Sequence, residues 1–129
     1  YISQLYKYQV HAKLSAGLGN FYYENYDFDT VYFDKDIPYD IASWIDGDSM
    51  EPKYHSGDVA LIKRTGYDFD GLVYAVVYNE ETYIKKVYLE GNIVRLVSIN
   101  DSYKDIMAPI EEVHIVGIVT DSFKPITEV

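Results

Sequence analysis

Ser49, Lys85 and Lys86 are the residues of this chain with the most chemical potential. A serine hydroxyl becomes a nucleophile when a neighbouring base takes its proton, and a lysine held away from water can be that base. Ser49 stands in the string Gly47-Asp48-Ser49-Met50-Glu51-Pro52, followed by Ser56-Gly57-Asp58-Val59. Glycine at 47 permits a tight turn, which can leave a hydroxyl exposed and aim backbone N–H groups at a reacting carbonyl. The hydrolase elbow Gly-x-Ser-x-Gly is absent, because Glu51 occupies its last position. The lysines stand in Tyr83-Ile84-Lys85-Lys86-Val87, an extended apolar pattern. Side chains alternate along a strand, so only one lysine faces Ser49. Lys85 shares a face with Tyr83, Val87 and Leu89, and Lys86 with Ile84 and Tyr88. Both faces are apolar, so alternation alone does not choose.

A third piece is the small-residue run Ser15-Ala16-Gly17. Small side chains let a backbone carbonyl reach a recessed serine, which makes Ala16–Gly17 a candidate scissile bond. Leu14, two residues before Ala16, would fill an apolar subsite. His11, His55 and His114 have no ligand-like spacing, so neither a metal nor any other cofactor is expected.

In this order and spacing, the three pieces resemble the self-cleaving family of LexA, the lambda-type phage repressors and UmuD. The resemblance runs from about Val10 to Val129. It implies Ser49 as nucleophile in the Gly47-Asp48-Ser49-Met50 turn, and cleavage at Ala16–Gly17. It assigns the base to Lys85, because the family pattern is an aliphatic residue, the catalytic lysine, a basic residue and an apolar one. The implied enzyme is a serine peptidase that cuts its own chain once. A lysine near its ordinary pKa of about 10.4 is protonated at pH 7, so Lys85 must be buried to act.

The supporting elements read as short strands. Strand signals fall at Val10–Leu14, Asp29–Asp34, Ile41–Ile45, Val59–Lys63, Leu72–Tyr78, Thr82–Leu89, Asn92–Ser98, Ile106–Pro109 and Val113–Thr120, with a short helical turn over Ser49–Tyr54. The short links at 79–81 and 90–92 predict hairpins. The expected fold is mostly β, a compact antiparallel domain. Residues 1–9 read as lead-in from an N-terminal DNA-binding domain, residues 10–129 as the self-cleavage and dimerisation domain, and 14–20 as the cleavage loop.

The 129 residues fit one domain, and the 15 tyrosines suit half-buried sheet faces. A formal net charge of −10 disfavours direct contact with phosphate. DNA would therefore be met only through a separate helix-turn-helix domain. With no cysteine, disulfides and thiolate chemistry are excluded. No apolar run approaches the roughly twenty residues of a membrane span, and the expected location is the cytoplasm.

The resemblance further implies a homodimer, and activation by a RecA filament on single-stranded DNA. The apolar β run Val113–Val119, close to the chain end, is expected at a sheet edge where unpaired backbone invites a second copy. That places the interface near Ile115, Val116 and Phe123. Two other readings keep the family but change the role. One is a dimerisation domain that answers an antirepressor without cutting itself. The other is a UmuD-like polymerase accessory factor, against which Ala16-Gly17 stands where UmuD proteins usually carry Cys-Gly.

Overall fold

The computed structural model describes residues 4–12, 14 and 28–126. Among these, the chain forms nine strands and one 3-10 turn. The strands are β1 (Tyr6–His11), β2 (Phe28–Phe33), β3 (Ile41–Trp44), β4 (Val59–Lys63), β5 (Val73–Tyr78), β6 (Glu81–Glu90), β7 (Ile93–Val97), β8 (Ile106–Pro109) and β9 (His114–Phe123). All nine belong to one sheet in the order β2-β1-β3-β4-β9-β5-β6-β7-β8. The mostly-β expectation holds. The sheet is mixed, however, because β1 pairs with β3 in parallel while the other ladders are antiparallel.

The local chemistry explains the hairpins. β5 and β6 pair Tyr78 with Glu81, leaving Asn79-Glu80 as a two-residue turn. Both turn residues have positive φ, 52° and 62°. That matches a turn whose twist suits the flanking strands, and Asn is among the residues that tolerate it. β6 and β7 close around the two residues Gly91-Asn92, of which Gly91 has positive φ, 65°.

The strand starting at Tyr6 begins four residues before the expected Val10. Tyr8 and Val10 are buried while Lys7 and Gln9 are exposed, the period of a half-buried strand. Tyr8 is held further by its hydroxyl, which donates to the Lys35 carbonyl and accepts from the Ile37 N–H. Segment 49–54 is a series of turns, not a helix.

The position of β9 differs from expectation. It is the middle strand of the nine, paired with β4 on one side and β5 on the other. Its backbone is used within the domain, so the unpaired-edge argument for an interface there fails. Val116 lies in the buried cluster that contains Met50 and Ile84. Phe123 is buried and stacks on Phe33 with ring centroids 4.3 Å apart, and Ile115 packs against a third apolar cluster. The sheet edges are β2 and β8.

β9 can sit this close to β4 because residue 117 is glycine. A Cβ there would lie 2.1 Å from the Lys63 carbonyl oxygen and 2.8 Å from Ile62 Cγ2. Neither the backbone nor a packed isoleucine can yield that distance. Gly117→Ala should therefore destabilise the domain by about 2–3 kcal/mol or more, as overpacking does. Gly66→Ala, where a Cβ meets nothing within 4 Å, should change stability little. Urea unfolding of the two variants tests this, and equal stability would remove the close-approach account.

Candidate active site

The segment between β3 and β4 carries Ser49. Its base is drawn together by backbone pairing: Ile45 N–H donates to the Asp58 carbonyl at 2.8 Å, and Gly57 N–H donates to the Ile45 carbonyl at 2.8 Å. Ser56 Oγ accepts from the Gly47 N–H at 3.1 Å. The second half of the motif, Ser56-Gly57-Asp58, thus closes the loop that the first half displays. Gly47 has φ 83°, a left-handed conformation that disfavours other residues. Met50 is buried in the core cluster and anchors the turn from below, with Tyr54 N–H donating to its carbonyl at 3.0 Å.

The outer side of the turn is braced by the loop between β7 and β8. Asn100 N–H donates to the Ser49 carbonyl at 2.9 Å, and Asn100 Nδ2 donates to the Asp48 carbonyl at 3.1 Å. The Tyr103 hydroxyl donates to the Asp48 carboxylate, and that bond raises the phenol pKa. Sequence reasoning did not single out Asn100 or Tyr103. Their partners lie about fifty residues away in the chain, and no local signal points to them.

Strand β6 supplies the lysine. Lys85 is only 7% exposed, and its Nζ lies 2.5 Å from Ser49 Oγ. Among the described residues no carboxylate pairs with it. Burial alone pushes the Lys85 pKa below its ordinary value, because desolvation disfavours the charged amine. Lys86 is half-buried and leaves the strand on the opposite face. The choice that alternation left open therefore falls to Lys85 by position.

Ser49 and Lys85 line an open cleft of about 510 Å³. Its walls include Ala12 just after β1, Trp44 at the end of β3 and Ile45 beyond it, Tyr83 and Ile84 from β6, and Ile106 from β8. Met50, Gly47 and Asp48 line it as well. Among the described residues, the Ser49 and Met50 N–H groups donate to no protein acceptor, and both residues line the cleft. His55 is bonded to Glu51 at 2.6 Å and lies outside this constellation. Ala16 and Gly17 lie outside the described residues, but Leu14 does not. It is 1% exposed and belongs to the apolar cluster of Ile45, Met50 and Ile84.

A β domain holding a serine against a desolvated lysine in an open cleft has the make-up of a serine peptidase domain. The chain belongs to the Peptidase S24-like family, which matches residues 7–120. It is 35% identical over 75 residues to the LexA repressor of Koribacter versatilis, covering 57% of this chain and 36% of that protein. It is 42% identical over 55 residues to the LexA repressor of Clostridioides difficile, covering 43% of this chain and 26% of that protein. The match to the LexA repressor of Gluconobacter oxydans is 32% over 85 residues, covering 64% of this chain and 36% of that protein. The matches thus span about a quarter to a third of those relatives. Among the described residues, no helix is long and apolar enough to cross a membrane.

The lysine burial ties the stability of the domain to pH. With its pKa lowered on folding, the unfolded chain binds more protons than the folded one between the folded value and about 10.5. Stability contributed by this group therefore rises with pH across that window. Lys85→Met should be more stable than wild type at pH 7, and the gap should narrow as pH approaches 10.5. Urea melts of both proteins at several pH values give the comparison. A gap that stays constant or widens with pH would contradict a depressed Lys85 pKa.

Proposed function

We propose that this chain is the self-cleaving C-terminal domain of a LexA-type transcriptional repressor, with Ser49 as nucleophile and Lys85 as general base. The observation that carries the reading is the 2.5 Å approach of Lys85 Nζ to Ser49 Oγ, with the amine desolvated and unpaired by any described carboxylate. Neutral Lys85 takes the proton from Ser49 Oγ as that oxygen attacks the Ala16 carbonyl carbon. The developing oxyanion is held by the N–H groups of Ser49 and Met50. Lys85 then delivers the proton to the Gly17 nitrogen as the Ala16–Gly17 bond breaks. Water, giving its proton to Lys85, attacks the ester left on Ser49, and as the acyl–oxygen bond breaks Lys85 returns that proton to Ser49 Oγ and the Ala16 carboxylate is released. Each step uses one base in two protonation states.

In the proposed biological role, the domain dimerises a repressor in the cytoplasm. Its DNA-binding helix-turn-helix module lies outside these 129 residues. Linking two such modules raises their effective concentration on a twofold operator, and cleavage removes that gain. By the family resemblance, a RecA filament formed after DNA damage is the trigger. The relatives named LexA repressor favour this over a polymerase accessory role. The acidic charge of −10 fits a domain that leaves DNA contact to another segment. Sedimentation at micromolar concentration tests the homodimer, which a purely monomeric species would exclude.

Ser49→Ala and Lys85→Ala should each slow self-cleavage by roughly a thousandfold or more, as loss of a nucleophile or its base does. Lys86→Ala should keep most of the rate. The wild-type rate should rise with pH through the folded pKa of Lys85 and level off above it, since only the neutral amine is a base. Mass spectrometry should find a large fragment beginning at Gly17. An inactive Lys86→Ala beside an active Lys85→Ala would reverse the assignment, and a rate flat from pH 7 to 10 would remove lysine as the base.

A further inference from the structure

Thr82 makes a contact that the peptidase chemistry above does not use. Its side-chain hydroxyl meets both backbone polar groups of Leu14. The Leu14 N–H donates to Thr82 Oγ1 at 2.9 Å, and Thr82 Oγ1 donates to the Leu14 carbonyl at 3.3 Å. One hydroxyl thus serves as acceptor and donor for the same residue. The two residues are 68 apart in the chain. Thr82 keeps its own backbone in the β5–β6 ladder, opposite Val77. Its side chain is therefore free to act as a clasp for a second strand of chain. Thr82 also lines the cleft that holds Ser49 and Lys85.

The clasp works together with burial. The Leu14 side chain is 1% exposed, within the cluster of Ile45, Met50 and Ile84. Burying a leucine is worth about 1.5–3 kcal/mol, but burial alone is non-directional. The paired hydrogen bonds add direction, because they fix the backbone at Leu14 as well as its side chain. From there, two residues of extended chain reach at most about 7 Å. Ala16 is two residues on. Anchoring Leu14 therefore limits the length of chain between the clasp and the reacting carbonyl.

We infer that Thr82 is a positioning residue that docks the cleavage segment by its backbone at Leu14, and so sets how often the Ala16–Gly17 bond is presented to Ser49. This rests on the self-cleavage reading. It adds a determinant that acts on the substrate segment and leaves the nucleophile and its base untouched. Because the clasp reads backbone groups, it tolerates change in the side chain at 14, whereas the apolar cluster selects for a branched aliphatic one.

The test uses the 129-residue chain with two readouts. One is the first-order rate of self-cleavage at alkaline pH. The other is labelling of Ser49 by diisopropyl fluorophosphate, a small reagent that needs an activated serine but no docked segment. Thr82→Val keeps the β-branched shape and removes the hydroxyl. It should slow self-cleavage roughly tenfold or more, as loss of two hydrogen bonds would. Ser49 labelling should be as fast as in wild type or faster, since the segment competes less for the cleft. Thr82→Ser should restore cleavage to within about threefold of wild type, because it returns the hydroxyl. A Thr82→Val chain that cuts at the wild-type rate overturns the inference alone. So does one that loses labelling together with cleavage, because Thr82 would then support the dyad and not the segment. A wild-type chain that neither cuts itself nor labels at Ser49 overturns the peptidase reading and this inference with it.

Discussion

The contact between Lys85 and Ser49 makes the heaviest demand on this structure. A buried lysine, 7% exposed and with no carboxylate partner among the described residues, is disfavoured as a cation. Burying it lowers its pKa and costs folding free energy whenever it is protonated. That cost is tolerable only where the surrounding sheet is firmly built. β6 meets the need: it is ten residues long, paired with β5 and β7, and its Val87 is fully buried. The same burial that weakens the fold at neutral pH favours the neutral amine, the form that the proposed mechanism requires. Stability and reactivity at this position pull in opposite directions, as they commonly do at active sites.

The serine side is solved differently. Ser49 lies on a connection 36 residues from Lys85, so its place must be fixed by contacts and not by a regular element. Three sets of contacts do this. The Ile45–Asp58 and Ile45–Gly57 backbone bonds close the loop, Met50 roots it in the core, and Asn100 holds the Asp48 and Ser49 carbonyls from outside. A serine positioned by bonds from both sides keeps its geometry without a helix beneath it. Behind it, Gly117 allows β9 to close on β4, the strand that follows the loop. The two halves of the site are therefore tied through the middle of one sheet.

Much of this was legible in the sequence, and what was not has physical reasons. The hairpins were legible because turn chemistry is local: Asn79-Glu80 and Gly91-Asn92 sit where the chain must take positive φ or a tight reversal. Ser49 and Lys85 were legible through motif resemblance, and the burial that separates Lys85 from Lys86 came only with the fold. The start of β1 was missed although Tyr6, Tyr8 and Val10 alternate with Lys7, Gln9 and His11. Tyrosine reads poorly as an inward residue because its hydroxyl needs a partner, and Tyr8 finds two in Lys35 and Ile37. The central place of β9 was not legible at all. Strand order depends on pairing between distant segments, and an apolar β run near a chain end looks the same at an edge or in the middle. The clasp at Thr82 and the brace at Asn100 are equally long-range.

The membership of the Peptidase S24-like family and the likeness to LexA repressors give the site its context, but the account turns on the ionisation of one amine. The most direct measurement is the pH titration of the Lys85 side chain by NMR. The experiment uses the Ser49→Ala protein, so that the chain stays intact at alkaline pH. Burial remains in that variant, so Lys85 should titrate below the ordinary lysine value of about 10.4. A Lys85 that titrates at or above that ordinary value would contradict the account, because a protonated amine beside Ser49 could not take its proton.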